Sequence, residues 1–293
     1  MILPAPIRKE FPFKNNFFQQ HTGLQIHYVD EGKNEHTPTV FLHGNPTWSF
    51  FYRNLILSLQ HHFRCIAPDH IGCGLSDKPK LDKFKYDLQS HSENFNSLLE
   101  HLKLEKFNLV VHDWGGAIGL SALKDNLSRI NKLVLLNTAA FNSSDVPIRI
   151  RFCRLPVIGE LFVRGMNGFA RPATWMATKK GLSKSSKAGF LFPYKSWSNR
   201  IATWRFVKDI PLERDHSTRA FLQATEDKIP ELVNTPTLAC WGMQDFCFHE
   251  GFLNQWKSRI PNIDINKFQN AGHYLLEDNF EGCEKVIKSF LTT

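Results

Sequence analysis

The chain has 293 residues, 42% of them hydrophobic, so it can bury the core of one large domain or of one domain carrying an insertion. Disorder as the main state is excluded. The formal net charge of +8 comes from 36 basic and 28 acidic residues, and a basic balance of this kind leaves nucleic acid, an anionic membrane face, an acidic substrate or a protein partner open. No apolar run is long enough for a transmembrane helix, and the opening MILPAPIRKEFPFKNN has no apolar signal core. A soluble, cytoplasmic protein is expected. Cys65, Cys73, Cys153, Cys240, Cys247 and Cys283 show no CxxC spacing, so free thiols are expected rather than disulfides or a zinc site.

In chain order, Leu24–Asp30 is extended and alternating. Short apolar runs follow at Pro38–Leu42, Arg64–Pro68, Phe107–Val111, Lys132–Leu136, Thr235–Trp241 and Ile263–Phe268. Helical stretches are predicted at Tyr86–Leu102, Gly115–Leu123 and Asn279–Leu291. In the first of these Leu88, Phe95, Leu98, Leu99 and Leu102 recur at helical spacing as core positions. Buried β-rich runs alternating with helices imply βαβ units and a mostly parallel sheet. Between Leu136 and Thr235 this rhythm stops. That stretch holds Pro147, Pro156, Pro172, Pro193 and Pro211, many aromatics, and most of the charge imbalance. From Thr138 to Thr225 there are 15 Lys/Arg and 5 Asp/Glu, a balance of +10, against −2 for the rest of the chain. The expected division is a core of residues 1–137 and 226–293 and a helical cap of 138–225, lying over the carboxyl ends of the strands, where open α/β sheets bind ligands.

Four loops carry chemistry. Val110-Val111-His112-Asp113-Trp114-Gly115-Gly116 follows a buried run and opens a helix. A sharp strand-to-helix turn lifts its central residue above the sheet, and here that residue is Asp113 rather than the usual serine. A carboxylate is a competent nucleophile with no proton to remove. The bland alternative is an Asp capping a helix. Leu42-His43-Gly44-Asn45-Pro46-Thr47-Trp48 can bring a backbone N–H over that turn, and the N–H of Trp114 would complete an oxyanion hole. The Asn45 side chain and the Trp114 indole add two neutral donors, suited to a halide or a developing carboxylate. Trp241-Gly242-Met243-Gln244-Asp245 offers an acid to orient a histidine, and Asn270-Ala271-Gly272-His273-Tyr274 offers that histidine as base. The order nucleophile, acid, histidine is the one expected of this architecture. His43 and His112 are expected to line the site without carrying protons. Ile71-Gly72-Cys73-Gly74-Leu75-Ser76-Asp77 lacks both P-loop and dinucleotide spacing and reads as structural support. No metal site and no cofactor motif is found.

The set HGNPTW, APDHIGCGLSDKP, VVHDWGG, GMQD and NAGH resembles the haloalkane dehalogenase group of the α/β-hydrolase superfamily, from about Leu24 to the C-terminus. The resemblance implies an eight-stranded, mostly parallel sheet flanked by helices with an inserted helical cap. It implies Asp113 as nucleophile, His273 as base, Asp245 as its acid partner, and Asn45 with Trp114 as the anion-stabilising pair. In another subgroup the acid follows the run ending at Leu136, where this chain has Asn137-Thr138, so Asp245 stands alone. The cap segments Leu161–Asn167, Ser196–Thr203 and Phe206–Leu212 resemble a subgroup that includes β-lactone decarboxylases of long-chain olefin biosynthesis. Its chemistry is opening of a cis-β-lactone and loss of carbon dioxide to give an alkene; the alternative is hydrolysis of a haloalkane. In both, the resemblance has Asp113 attack, Asn45 and Trp114 hold an anion, and His273 activate water to release the enzyme. The implied substrate is a small apolar organic molecule.

An epoxide hydrolase would need paired cap tyrosines, and the cap has only Tyr194. A noncatalytic receptor would tolerate loss of Asp113, Asp245 or His273, and all three are present. Phe152, Phe162, Phe169, Trp175 and Phe190 are candidate walls of an acyl-shaped tunnel. No nucleic-acid motif accompanies the basic segment. The basic segment is expected to be the outer face of the cap, docking a partner enzyme or an anionic membrane, with Lys179, Lys180, Lys184 and Lys187 as contact candidates.

Overall fold

The computed structural model describes residues 3–33 and 36–293, so Met1, Ile2, Asn34 and Glu35 of the expected core segment lie outside the described residues. The chain forms one eight-stranded sheet of β1 (Asn16–Gln19), β2 (Gln25–Glu31), β3 (Thr39–Leu42), β4 (Cys65–Pro68), β5 (Phe107–Asp113), β6 (Ile130–Thr138), β7 (Thr237–Gly242) and β8 (Asp264–Phe268). The spatial order is β1-β2-β4-β3-β5-β6-β7-β8. The β1–β2 and β2–β4 pairs are antiparallel, and all pairs from β4 to β8 are parallel. Every apolar run therefore became a strand. β1, with sequence NFFQ, carried no apolar-run signal because it alternates at a half-exposed edge.

All seven residues of β5 are buried. Successive side chains of a strand point to opposite faces, which sorts the core into two layers. Leu109 and Val111 join Leu133, Leu135 and Trp241 on one face. Val110 joins Phe41, Val134, Leu136 and Cys240 on the other. The helices Leu88–His101 and Trp114–Leu123 cover the first face, and Leu88, Phe95, Leu98 and Leu99 are buried there as expected, with Leu102 partly so. Asp87 caps the first of these helices by accepting the Ser90 N–H at 2.8 Å. The helices Arg53–Leu59 and Phe280–Thr292 cover the second face. All six cysteines are free thiols.

Between β6 and β7 the chain makes the short helices Ile148–Cys153, Ala170–Met176, Lys184–Leu191, Ile201–Lys208 and Ser217–Glu226. The last rests on the core, where Thr225 and Ser121 share a hydrogen bond of 2.8 Å. The remainder has a small apolar centre of Cys153, Val163 and Val207. Buried hydrogen bonds fasten it to the core. The Trp48 indole donates to Gly189 O at 3.1 Å, the Tyr194 hydroxyl to Thr47 O at 3.1 Å, and Arg53 to Ser186 Oγ at 2.9 Å. Asp278 accepts the N–H groups of Lys179 and Lys180 at 2.8 and 2.9 Å.

Candidate active site

The parallel strands bring the ends of β3, β5, β7 and β8 together, and each of the four loops emerges there. Asp113 ends β5 with φ 51° and ψ −125°, a left-handed conformation that costs a residue with a side chain about 1–3 kcal/mol. The surroundings enforce it. A Cβ on Gly115 would strike the Leu42 carbonyl, and one on Gly44 would strike the Asp113 carboxylate. Glycine at 44 and 115 therefore lets the β3 loop and the helix N-terminus close onto the turn.

Asp113 Oδ1 accepts the Asn45 backbone N–H at 2.6 Å, and the Trp114 N–H also bonds this carboxylate. The Asn45 N–H, expected as half of an oxyanion hole, thus holds an oxygen of Asp113 itself, and the Trp114 N–H faces the same carboxylate. The other oxygen, Oδ2, lies 3.8 Å from His273 Nε2, beyond hydrogen-bond length. His273 Nδ1 pairs with Asp245 Oδ2 at 2.8 Å. Asp245 Oδ1 in turn accepts the Cys247 N–H at 2.7 Å. The three expected residues are therefore brought into one line and buried.

Burial raises the Asp113 pKa, against the His273 charge and the two N–H bonds that lower it. Burial alone would lower His273, but the charge and hydrogen bond of Asp245 and the charge of Asp113 override it, and its pKa is raised. His43 and His112, expected to line the site, are instead fully buried behind it. His112 Nε2 contacts the His273 carbonyl at 2.9 Å, and the His43 Nε2 accepts the His70 N–H at 3.0 Å. Burial holds both below the ordinary histidine value.

The Asn45 amide donates one N–H to Thr203 O, in the helices between β6 and β7, at 3.1 Å. This anchor had no sequence signal, because its acceptor is a backbone carbonyl. Asn45 and Trp114 both line the pocket that opens above Asp113, and the Trp114 ring leans on Phe206. Asn137, where another subgroup would carry the acid, donates to Gly242 O at 3.0 Å and accepts the Gly242 N–H at 2.7 Å. It braces the loop that carries Asp245.

The pocket has a volume of about 550 Å³ and is walled mainly by apolar side chains, with Asp113 and His273 in its lining. Phe152, Phe162 and Phe169 line it as expected. Trp175 and Phe190 do not. Trp175 points to solvent, and Phe190 is buried against Phe50 and Tyr274. Short helices such as those between β6 and β7 expose or bury aromatics according to which face meets the core, and composition does not reveal the face. Phe246 and Phe248, from the β7 loop, are walls that the sequence reading missed. The Tyr194 hydroxyl is engaged with Thr47 O, and Tyr194 is not part of the wall.

Residues 37–280 match the family described as alpha/beta hydrolase fold. The chain belongs to this family, and within it to the haloalkane dehalogenase-like group of enzymes that includes β-lactone decarboxylases. It is 41% identical over 286 residues to a cis-3-alkyl-4-alkyloxetan-2-one decarboxylase of Shewanella oneidensis, covering 96% of this chain and 89% of the relative. A decarboxylase of the same name from Xanthomonas campestris is 36% identical, covering 92% and 93%. Haloalkane dehalogenase 2 of Mycobacterium bovis is 30% identical, covering 94% and 93%. Among solved structures, the haloalkane dehalogenase DatA from Agrobacterium tumefaciens superposes with a TM-score of 0.86 at 27% identity, covering 95% of this chain and 96% of that one.

Proposed function

We propose that the protein opens cis-β-lactones bearing alkyl chains and expels carbon dioxide to leave an alkene. The observation that carries a covalent route is the Asp113 carboxylate, with Oδ1 held by the Asn45 backbone N–H and the side chain lining an apolar pocket. The choice of lactone rests on the two decarboxylase relatives.

In this reading Asp113 Oδ2 attacks the alkyl-bearing ring carbon next to the ring oxygen, not the carbonyl carbon. The new C–O bond forms as the ring C–O bond breaks, and the released oxygen becomes a carboxylate facing Asn45 and Trp114. The electrons of the adjacent C–C bond then form the alkene, carbon dioxide leaves, and Asp113 departs as carboxylate. No water enters this balance. For this substrate the balance replaces the water step expected from the resemblance, and the protonated imidazole of His273, held by Asp245, places its positive edge beside the reacting carboxylates.

The second reading is haloalkane hydrolysis, favoured by Asn45 and Trp114 lining the pocket with Asp113. There Asp113 displaces halide, and His273 takes a proton from water that attacks the ester, with the oxyanion forming at Oδ1 against the Asn45 N–H. In both readings residues 138–225 act as a cap over a core of 1–137 and 226–293. The basic cap docks an anionic surface, either a partner enzyme or a membrane, and the protein works in the cytoplasm, where free cysteines persist.

The test offers the enzyme a dialkyl cis-β-lactone and 1,2-dibromoethane in parallel, measuring alkene and bromide. Alkene formation well above bromide release supports the lactone, and the reverse ratio sinks it. Asp113→Asn should abolish both.

A further inference from the structure

The cap edge from Ile148 to Met166 carries apolar side chains that nothing in the described chain covers. Ile148, Leu155, Val157, Ile158, Leu161 and Met166 are all exposed, Ile148 by 81% and Val157 and Met166 by 69%. Scattered exposed apolar residues are ordinary, but a contiguous set marks an interaction surface. Val157 is also held at φ 60°, a conformation that disfavours a β-branched residue. The backbone is strained at a side chain that the fold itself does not use.

This ridge joins two cavities. At one end Ile148 and Phe152 are exposed yet line the apolar pocket above Asp113, so they form its rim. At the other end Met166 and Gly165 enter a second cavity of about 490 Å³ that also holds Arg171, Lys195 and Arg200. Among the described residues these three cations have no carboxylate against them. Arg200 is held by the carbonyls of Tyr194 and Lys195 at 2.8 and 3.0 Å and by those of Arg164 and Gly165, which neutralise none of its charge, and Arg171 repels it. Elsewhere in the cap Arg154 and Arg164 are paired with Glu213 and Glu160.

An apolar ridge running from the mouth of an apolar pocket to an unpaired cationic cavity matches the layering of an anionic bilayer, with hydrocarbon below and phosphate above. We propose that residues 148–166 dock the protein on an anionic phospholipid surface, with a lipid phosphate at Arg171, Lys195 and Arg200 and the pocket rim facing the hydrocarbon. The inference rests on the reading that the substrate is a dialkyl, lipid-soluble molecule, which would reach Asp113 from the membrane. A second copy of the chain is a poor occupant, because two caps of charge +10 would repel.

The test is flotation of the full-length protein with vesicles of phosphatidylcholine alone and of phosphatidylcholine with phosphatidylglycerol. Binding to the anionic vesicles should exceed binding to the neutral ones. Val157→Ser with Leu161→Ser should lower it at both low and high salt by about tenfold or more, the scale of withdrawing such side chains from the membrane. Arg171→Glu with Lys195→Glu should erase the preference for phosphatidylglycerol. Turnover of a short, water-soluble β-lactone by the serine variant should be unchanged, while turnover of a long-chain lactone held in vesicles falls. Equal vesicle binding by wild type and the serine variant would overturn the proposal. So would absence of vesicle binding in wild type, including the case in which sedimentation shows a dimer that the serine variant dissociates. If alkene never forms but vesicle binding behaves as described, the lactone reading fails and the docking surface stands.

Discussion

Asp209 ties the helices inserted between β6 and β7 to the helix Leu88–His101 and should make stability depend on pH. It follows the helix Ile201–Lys208 and is buried, 5% exposed. Its Oδ2 accepts the Leu88 N–H at the start of a core helix, and its Oδ1 accepts the Thr218 hydroxyl, both at 2.7 Å. Burial outweighs these two bonds and raises its pKa from 3.8 to about 7. The folded state therefore binds a proton that the unfolded state has released. Stability from this group is complete below the unfolded value and is lost as pH rises through the folded one. Over that window the difference amounts to about 4 kcal/mol, at 1.36 kcal/mol for each pKa unit.

The perturbation is Asp209→Asn, measured by urea unfolding of wild type and variant from pH 4 to pH 8. Loss of the second acceptor costs the variant about 1 kcal/mol at every pH. Its advantage should then grow with pH, so that it is the less stable protein at pH 4 and the more stable one at pH 8. Buried His43, His70, His91 and His112, all with lowered pKa, add the opposite slope to both proteins and cancel in the difference. A stability difference that stays constant within about 1 kcal/mol across the range would refute the reasoning.

Gly44→Ala should cost about a hundredfold in turnover, the scale of an ångström of misplacement, because its Cβ meets the Asp113 carboxylate. Steady-state kinetics beside a thermal melt would check it, and undiminished turnover would mean the loop can retreat. His273→Ala offered a haloalkane should accumulate an ester as a mass shift on the peptide holding Asp113, and no adduct would count against a covalent route. Because His273 is raised above its usual 6.5, the acid limb of haloalkane hydrolysis should lie above that pH and move down in Asp245→Asn, as read from a pH–rate profile. Charge reversal at the exposed Lys179, Lys180, Lys184 and Lys187 should weaken docking at low salt and leave turnover of a soluble substrate intact. Equal loss of both would assign these lysines to the cap itself.

The parallel sheet was legible because its strands are buried on both faces and read as apolar runs. The edge strand Asn16–Gln19 and the helix Glu250–Arg259 were not, since one alternates half-exposed and the other is largely polar. Side-chain members of the site announced themselves through loop position, as with Asp113 after Val111 and His273 after Gly272. What stayed hidden is contributed by backbone or by packing. The Thr203 carbonyl that holds Asn45 has no residue preference, and Phe248 reaches His273 only because the β7 loop folds back over it. Trp175 and Phe190 show the converse, aromatic residues whose helix faces are decided by neighbours distant in sequence.

An aspartate at this turn changes what the histidine has to do. A serine must lose a proton before it attacks, so its base must touch it; Asp113 is ready as soon as it is ionised, and His273 stands off at 3.8 Å. Under the proposed reading the alkyl ester on Asp113 has two exits. If the neighbouring carbon bears a carboxylate, loss of carbon dioxide frees Asp113 without water. If it does not, water must attack the ester carbon, and its oxygen enters the Asp113 carboxylate. The two routes are distinguishable in oxygen-18 water after many turnovers. Peptide mass spectrometry should find label on Asp113 after haloalkane hydrolysis and none after alkene formation. Label appearing on Asp113 in step with alkene would show that a hydrolysed ester lies on the lactone route, and the water-free elimination would have to be abandoned.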